Sequence, residues 1–130
     1  MEYMEENVMR IVNVADAEET RTPHGKKAKW LLSEEMGTPN FEMRYFEVSR
    51  ESKGEEEVHP FEHEVYVVKG EGTIRSRGKE FRISPGDAML ILPNELHQFS
   101  NSKEEPLCFI CVIPNGCEDH IKKGRSKPSA

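Results

Sequence analysis

From residue 41 onward the apolar residues come in short runs, most of them closed by glycine, proline or asparagine. A chain punctuated this often has no room for a long amphipathic helix, and none is visible after residue 40. Residues 41–49 alternate Phe41, Met43 and Tyr45 with Arg44, Phe46 and Val48, so both faces of this strand are candidates for burial. Residues 65–69 are β-branched and aromatic and end at Gly70-Glu71-Gly72. Residues 73–76 and 79–83 flank Arg77-Gly78, a hairpin signal. Pro85-Gly86-Asp87 and Pro93-Asn94 bracket 88–92, residues 96–100 alternate, and 107–113 runs up to Pro114-Asn115-Gly116. About seven or eight short strands at this spacing predict an all-β sandwich or barrel.

The flanks are different. Of the 28 Leu, Ile, Val and Phe residues, 21 lie within 41–113. Residues 1–40 read as an N-terminal extension. Within it, 11–14 is expected as a short strand, 16–27 as a loop, and 28–36 as a strand or a short helix. Residues 41–117 read as the barrel and 118–130 as a flexible basic tail carrying Lys122, Lys123, Arg125 and Lys127. Asn101 is expected to cap a turn.

Charge and hydropathy exclude several classes. The longest apolar run, 107–113, has seven residues, against the roughly 20 that a membrane span needs, so no membrane helix is expected. The net charge is −6. Without the four tail bases, 14 bases face 24 acids, and so acidic a body repels phosphate backbones. Nucleic acid is therefore not the expected partner; a small molecule is. Cys108, Cys111 and Cys117 make an odd count. Cys108 and Cys111, three apart in a strand, point to opposite faces and pair poorly. The N-terminus is acidic and has no secretory apolar core, so reduced thiols in a cytoplasmic protein are expected.

Histidine carries the chemistry. His24 and His120 fall in polar segments. His59 and His63 lie in Glu57-Val58-His59-Pro60-Phe61-Glu62-His63-Glu64, and His97 opens a later strand. Alternation puts Glu55, Glu57 and His59 on one face, and Pro60 forces a turn before His63. If the strand of Glu57 neighbours that of Val67, then Glu57, His59 and His63 converge. Three imidazoles and a carboxylate aimed into one cavity suit a first-row divalent metal. The same residues also fit buried histidines satisfied by backbone carbonyls. Met43, Tyr45, Phe99 and Phe109 are candidates either for the pocket wall or for plain core. Cys111 shares parity with Phe109 and is a candidate to face the cavity.

The segments HPFEHEVYVVKGEG and PGDAMLILPNELHQFSN resemble the two motifs of the cupins. His59 matches the second histidine of the first motif and Gly70 its closing glycine. Pro85, Gly86 and Asp87 match the turn of the second motif, and His97 and Asn101 its end. Two positions depart from the pattern, with Glu57 where histidine is usual and His63 where glutamate is usual. The resemblance covers about residues 41–113 and is similar in detail to small single-domain "cupin 2" proteins with an HPxEHE-type first motif. It implies a double-stranded β-helix, or jelly-roll barrel, with a metal inside one end, held by Glu57, His59, His63 and His97, or by the three histidines alone with Glu57 pointing away. It implies a homodimer that pairs or exchanges N-terminal strands. It also implies one divalent transition metal per chain (Mn, Fe, Ni, Cu or Zn) and a mononuclear metalloenzyme. Dioxygenase-like oxidation of a small aromatic or enolisable substrate is the first expectation. A non-redox isomerase or epimerase with Glu57 or a metal-bound water as base, and a metal-dependent binding protein without activity, are the alternatives.

Overall fold

The computed structural model describes residues 8–21 and 24–117. The basic tail, 118–130, with His120, lies outside the described residues. Ten strands form: β1 (Glu19–Arg21), β2 (Lys26–Leu32), β3 (Phe41–Val48), β4 (Ser52–Lys53), β5 (His63–Lys69), β6 (Gly72–Ser76), β7 (Lys79–Ile83), β8 (Ala88–Ile91), β9 (Gln98–Asn101) and β10 (Leu107–Pro114). They make a six-stranded sheet ordered β1-β2-β3-β10-β5-β8 and a four-stranded sheet ordered β4-β9-β6-β7. This is the all-β, two-sheet jelly-roll barrel that the strand spacing and the family resemblance imply. Among the described residues no helix is long and apolar enough to cross a membrane.

The alternation of each strand decides what enters the barrel. In β3, Glu42, Arg44, Phe46 and Val48 are buried and the residues between them are not. In β10, Leu107, Phe109, Cys111 and Ile113 point the same way, and in β5 so do His63, Val65 and Val67. Phe99 from β9 stacks on Phe109 at 4.3 Å between centroids, and Phe109 on Phe46 at 5.3 Å, which ties the two sheets together. Phe99 and Phe109 are therefore core. Met43 and Tyr45 lie opposite Val112 and Ile110 on the outer face, not on the pocket wall. Cys108, Cys111 and Cys117 are free thiols.

The N-terminal extension differs from expectation in three places. Residues 11–14 form no strand; Val14–Asp16 is a 3₁₀ turn, because the Asn13 side chain accepts the Ala15 amide at 2.8 Å and caps it. Residues 16–27 are not all loop, since β1 pairs with β2 with Thr20 opposite Ala28. The segment 28–36 divides: its first half belongs to β2, paired along β3, and Glu34–Met36 is a 3₁₀ turn ended by Gly37 at φ 99°.

Turns hold the strands in register. Arg77 and Gly78 both sit at positive φ, 52° and 79°, as a two-residue hairpin turn between β6 and β7 requires. Asn101 is a cap, as expected: its amide donates to the Val48 and Glu105 carbonyls and its oxygen accepts the Lys103 amide. Gly70 is at φ 78°, and a Cβ there would run into the Pro106 carbonyl oxygen. Gly78 has a similar φ of 79° but nothing within 4 Å. The two alanine variants therefore separate backbone strain from steric overlap. Gly78→Ala should cost about 1–2 kcal/mol, the left-handed penalty alone. Gly70→Ala should cost clearly more in urea denaturation; equal losses would show that the Pro106 contact yields without resistance.

Candidate metal centre

The site is built where a loop, a strand start and a turn meet. Residues 55–59 do not form the strand expected for them. Pro60 cannot extend a ladder, and the segment makes a single isolated bridge: Glu57 N–H donates to His97 O at 2.8 Å and His97 N–H to Glu57 O at 2.9 Å. Glu57 thus neighbours His97, and not the strand of Val67 as the alternation suggested. Glu55 is turned outward and meets His24 at 3.4 Å. The turn after Pro93 closes the loop, because Asn94 N–H donates to His59 O at 2.6 Å.

These constraints bring His59, His63 and His97 together. One ring nitrogen from each lies within 4.8 Å of the others, and the ring centroids are 5.0 to 5.7 Å apart. His63 and His97 are each 4% exposed. Phe61 packs against both His59 and His63, with centroids at 5.1 and 5.2 Å. Glu57 stands beside the trio, with Oε1 3.1 Å from His59 Nε2 and 3.9 Å from His97 Nε2. All four residues singled out in the sequence thus meet in one place.

The outer nitrogens of two rings are already engaged. His97 Nδ1 lies 2.9 Å from the Glu95 carbonyl, which can only accept, so Nδ1 carries the proton and Nε2 keeps its lone pair for the interior. His63 Nδ1 lies 3.3 Å from Cys111 Sγ, so Cys111 faces the site as its parity suggested. His63 Nε2 is buried without a hydrogen-bond partner. An orphaned buried nitrogen costs about 1–3 kcal/mol unless something meets it. A divalent cation among the three imidazoles is the group that fits, and the donor set is one that first-row metals accept.

Two buried cations frame the cluster, and the sequence reading missed both. Lys26, at the start of β2, donates to Glu57 Oε2 at 2.7 Å and sits 4.9 Å above the Phe46 ring. Arg44, on β3, donates from Nη2 to Cys111 Sγ at 3.3 Å and stacks on Phe46 and Trp30 at 4.7 and 5.3 Å. Arg44 had a signal, since it alternates in step with Phe46 and Val48. Lys26 had none, lying in a segment read as loop.

Protonation follows from these neighbours. Burial works against an ionised Glu57, but the His59 hydrogen bond and the Lys26 ammonium outweigh it and hold the carboxyl well below its usual range. Burial, then the Arg44 guanidinium, pulls the His63 imidazole down to about 3. Burial also lowers His97, and pushes the Cys111 thiol up.

A cavity of about 340 Å³ reaches His97 through the gap between β7 and β8, the open edges of the two sheets. Its wall is largely apolar, with Ile74, Phe81, Ile83, Met89 and Ile91. Ser76, Arg82, Asp87 and Glu95 supply its polar groups.

A two-sheet β-barrel with a cluster of three histidines that could hold a metal, one of them lining a largely apolar cavity, defines a jelly-roll protein. The Cupin domain model matches residues 44–113, and the chain belongs to the cupin family. The polyketide cyclase RemF from Streptomyces resistomycificus is similar at 26% identity, with 82% of this chain and 80% of that chain covered and a TM-score of 0.75. KdgF from Halomonas sp. is similar at 20% identity (85% and 99% covered, TM-score 0.72). A predicted oxalate decarboxylase from Thermotoga maritima is similar at 24% identity (82% and 99% covered, TM-score 0.71). The last two likenesses carry the fold alone. Among curated proteins no significant match is found.

The His63 shift gives a stability prediction. An unfolded chain protonates this ring near 6.5, whereas the folded chain resists until about 3. Stability is therefore complete above 6.5 and falls as pH drops toward 3, by about 2 kcal/mol at pH 5 from this ring alone. His97 acts in the same direction. Chelator-treated protein should show a Tm that declines from pH 7 to 5, and His63→Gln should make the decline shallower. An identical profile in that variant would mean that His63 charges freely in the folded state.

Proposed function

We propose that this cupin is a mononuclear metalloenzyme acting on a small, largely apolar compound, with His59, His63 and His97 as ligands and Glu57 as the fourth. The observation that carries the reading is His63 Nε2, buried and without a hydrogen-bond partner among two further imidazoles. When bound, a divalent Mn, Fe, Ni, Cu or Zn ion would supply Lewis acidity and, for the redox-active metals, electron transfer to dioxygen.

The chain's own residues do the rest. The Glu95 carbonyl holds the tautomer of His97 that turns its lone pair inward. Glu57 stays ionised between His59 and Lys26. A carboxylate held that firmly is a good ligand and a weak base, so of its two expected roles the ligand role is the better supported. Phe61, Ile74, Ile91 and Met89 keep water away from the buried end, and the cavity volume suits a compact ring system or a diketone. Dioxygenase-like oxidation of such an aromatic or enolisable substrate is the first reading. The likeness to RemF, a polyketide cyclase, favours a non-redox reaction on an enolisable carbonyl compound as the second.

Protein loaded in turn with Fe, Mn, Ni, Cu and Zn should be offered phenols and β-diketones while oxygen uptake and product mass are followed. Oxygen uptake with a redox metal supports the first reading; product of unchanged oxidation level supports the second. His97→Ala should lose at least tenfold in bound metal by elemental analysis and the activity with it. Loaded protein that turns over nothing in either panel would leave a binding protein instead.

A further inference from the structure

The fourth ligand position does not carry the charge that a lone carboxylate would. Lys26 Nζ donates to Glu57 Oε2 at 2.7 Å, while Oε1 faces His59 and His97. The Lys26 side chain is 11% exposed and that of Glu57 24%, so this ion pair is largely shielded from bulk water. One oxygen is thus spoken for by an ammonium and the other is turned toward the imidazoles. Arg44 adds a second buried cation, a guanidinium one thiol away from His63. The nearest further buried carboxylate on that strand, Glu42, accepts the Glu34 amide through Oε2. The three imidazoles are neutral ligands. A divalent ion held here therefore keeps most of its positive charge, which in a desolvated site attracts an anion strongly.

On the metal-site reading above, we infer that Lys26 sets the charge of this centre so that it takes a substrate bearing a single oxyanion: a carboxylate, enolate or phenolate on an apolar body. The apolar wall of Ile74, Phe81, Ile83 and Met89 takes the body, and the charge is met at the imidazole end. Lys26 is supplied by β2, outside the matched residues 44–113, so the N-terminal extension completes the site. Lys26 acts through Glu57 as a positioning residue and as a fixed positive charge; it does not itself react.

Cobalt-loaded protein tests this, with azide binding read from the visible spectrum. In Lys26→Met and Lys26→Gln, cobalt should stay at one per chain and bind at least as tightly, since a like charge has gone. Azide should bind about tenfold more weakly in both variants, and Lys26→Arg should restore it. Lys26→Gln keeps a donor to Glu57 and so isolates the charge. In the unaltered protein benzoate should displace azide and benzamide should not. Unchanged azide affinity in the variants at full cobalt loading, or equal displacement by benzoate and benzamide, would overturn the inference. Absence of cobalt uptake by the unaltered protein would overturn the metal reading and this inference together, a result distinct from the other two.

Discussion

Three imidazoles gathered at one point, two of them deeply buried, are the constraint on which the rest of the site depends. Each ring brings two nitrogens that water would otherwise satisfy. Burial keeps His63 and His97 from charging, so they present lone pairs and not protons to the space between them. A hydrophobic barrel interior makes such a cluster costly, and a cation among the rings would offset that cost. The surrounding residues are arranged to the same end: Glu95 O and Cys111 Sγ hold the outer nitrogens of two rings, and Phe61 packs against both His59 and His63.

The fold serves that cluster by bringing together parts of the chain that are far apart in sequence. His63 comes from the first residue of β5, His97 from the residue before β9, and His59 from a loop with no strand of its own. The Glu57–His97 backbone pair fixes that loop against the second sheet. Lys26, from β2, then reaches across to the carboxylate of the same loop. Between β7 and β8, the open edges of the two sheets, a largely apolar cavity reaches His97.

Much of this was legible in the residues. The hairpin at Arg77-Gly78, the core strand at 107–113 and the Asn101 cap follow from alternation and turn chemistry, whereas the meeting of Glu57 with three histidines was legible through the family motifs, the strand pairing assumed for it being wrong. What was hidden depended on tertiary pairing. Residues 55–59 alternate like a strand, yet Pro60 and the Glu57–His97 pair leave them a loop. Met43 and Tyr45 have the hydrophobicity of pocket residues, but the register of β3 turns them outward. Lys26 gave no sign, because a lysine beside Gly25 in a polar segment looks solvated until β2 carries it onto Phe46 and Glu57.

The central claim is that one cation sits among these rings, and its location can be measured directly. Crystals of protein loaded with one equivalent of a divalent transition metal should give a single strong peak in an anomalous difference map. The peak should lie about 2.0–2.2 Å from Nε2 of His63 and His97 and from a ring nitrogen of His59. A fully loaded crystal with its anomalous peak elsewhere, or with none at the imidazoles, would contradict the account.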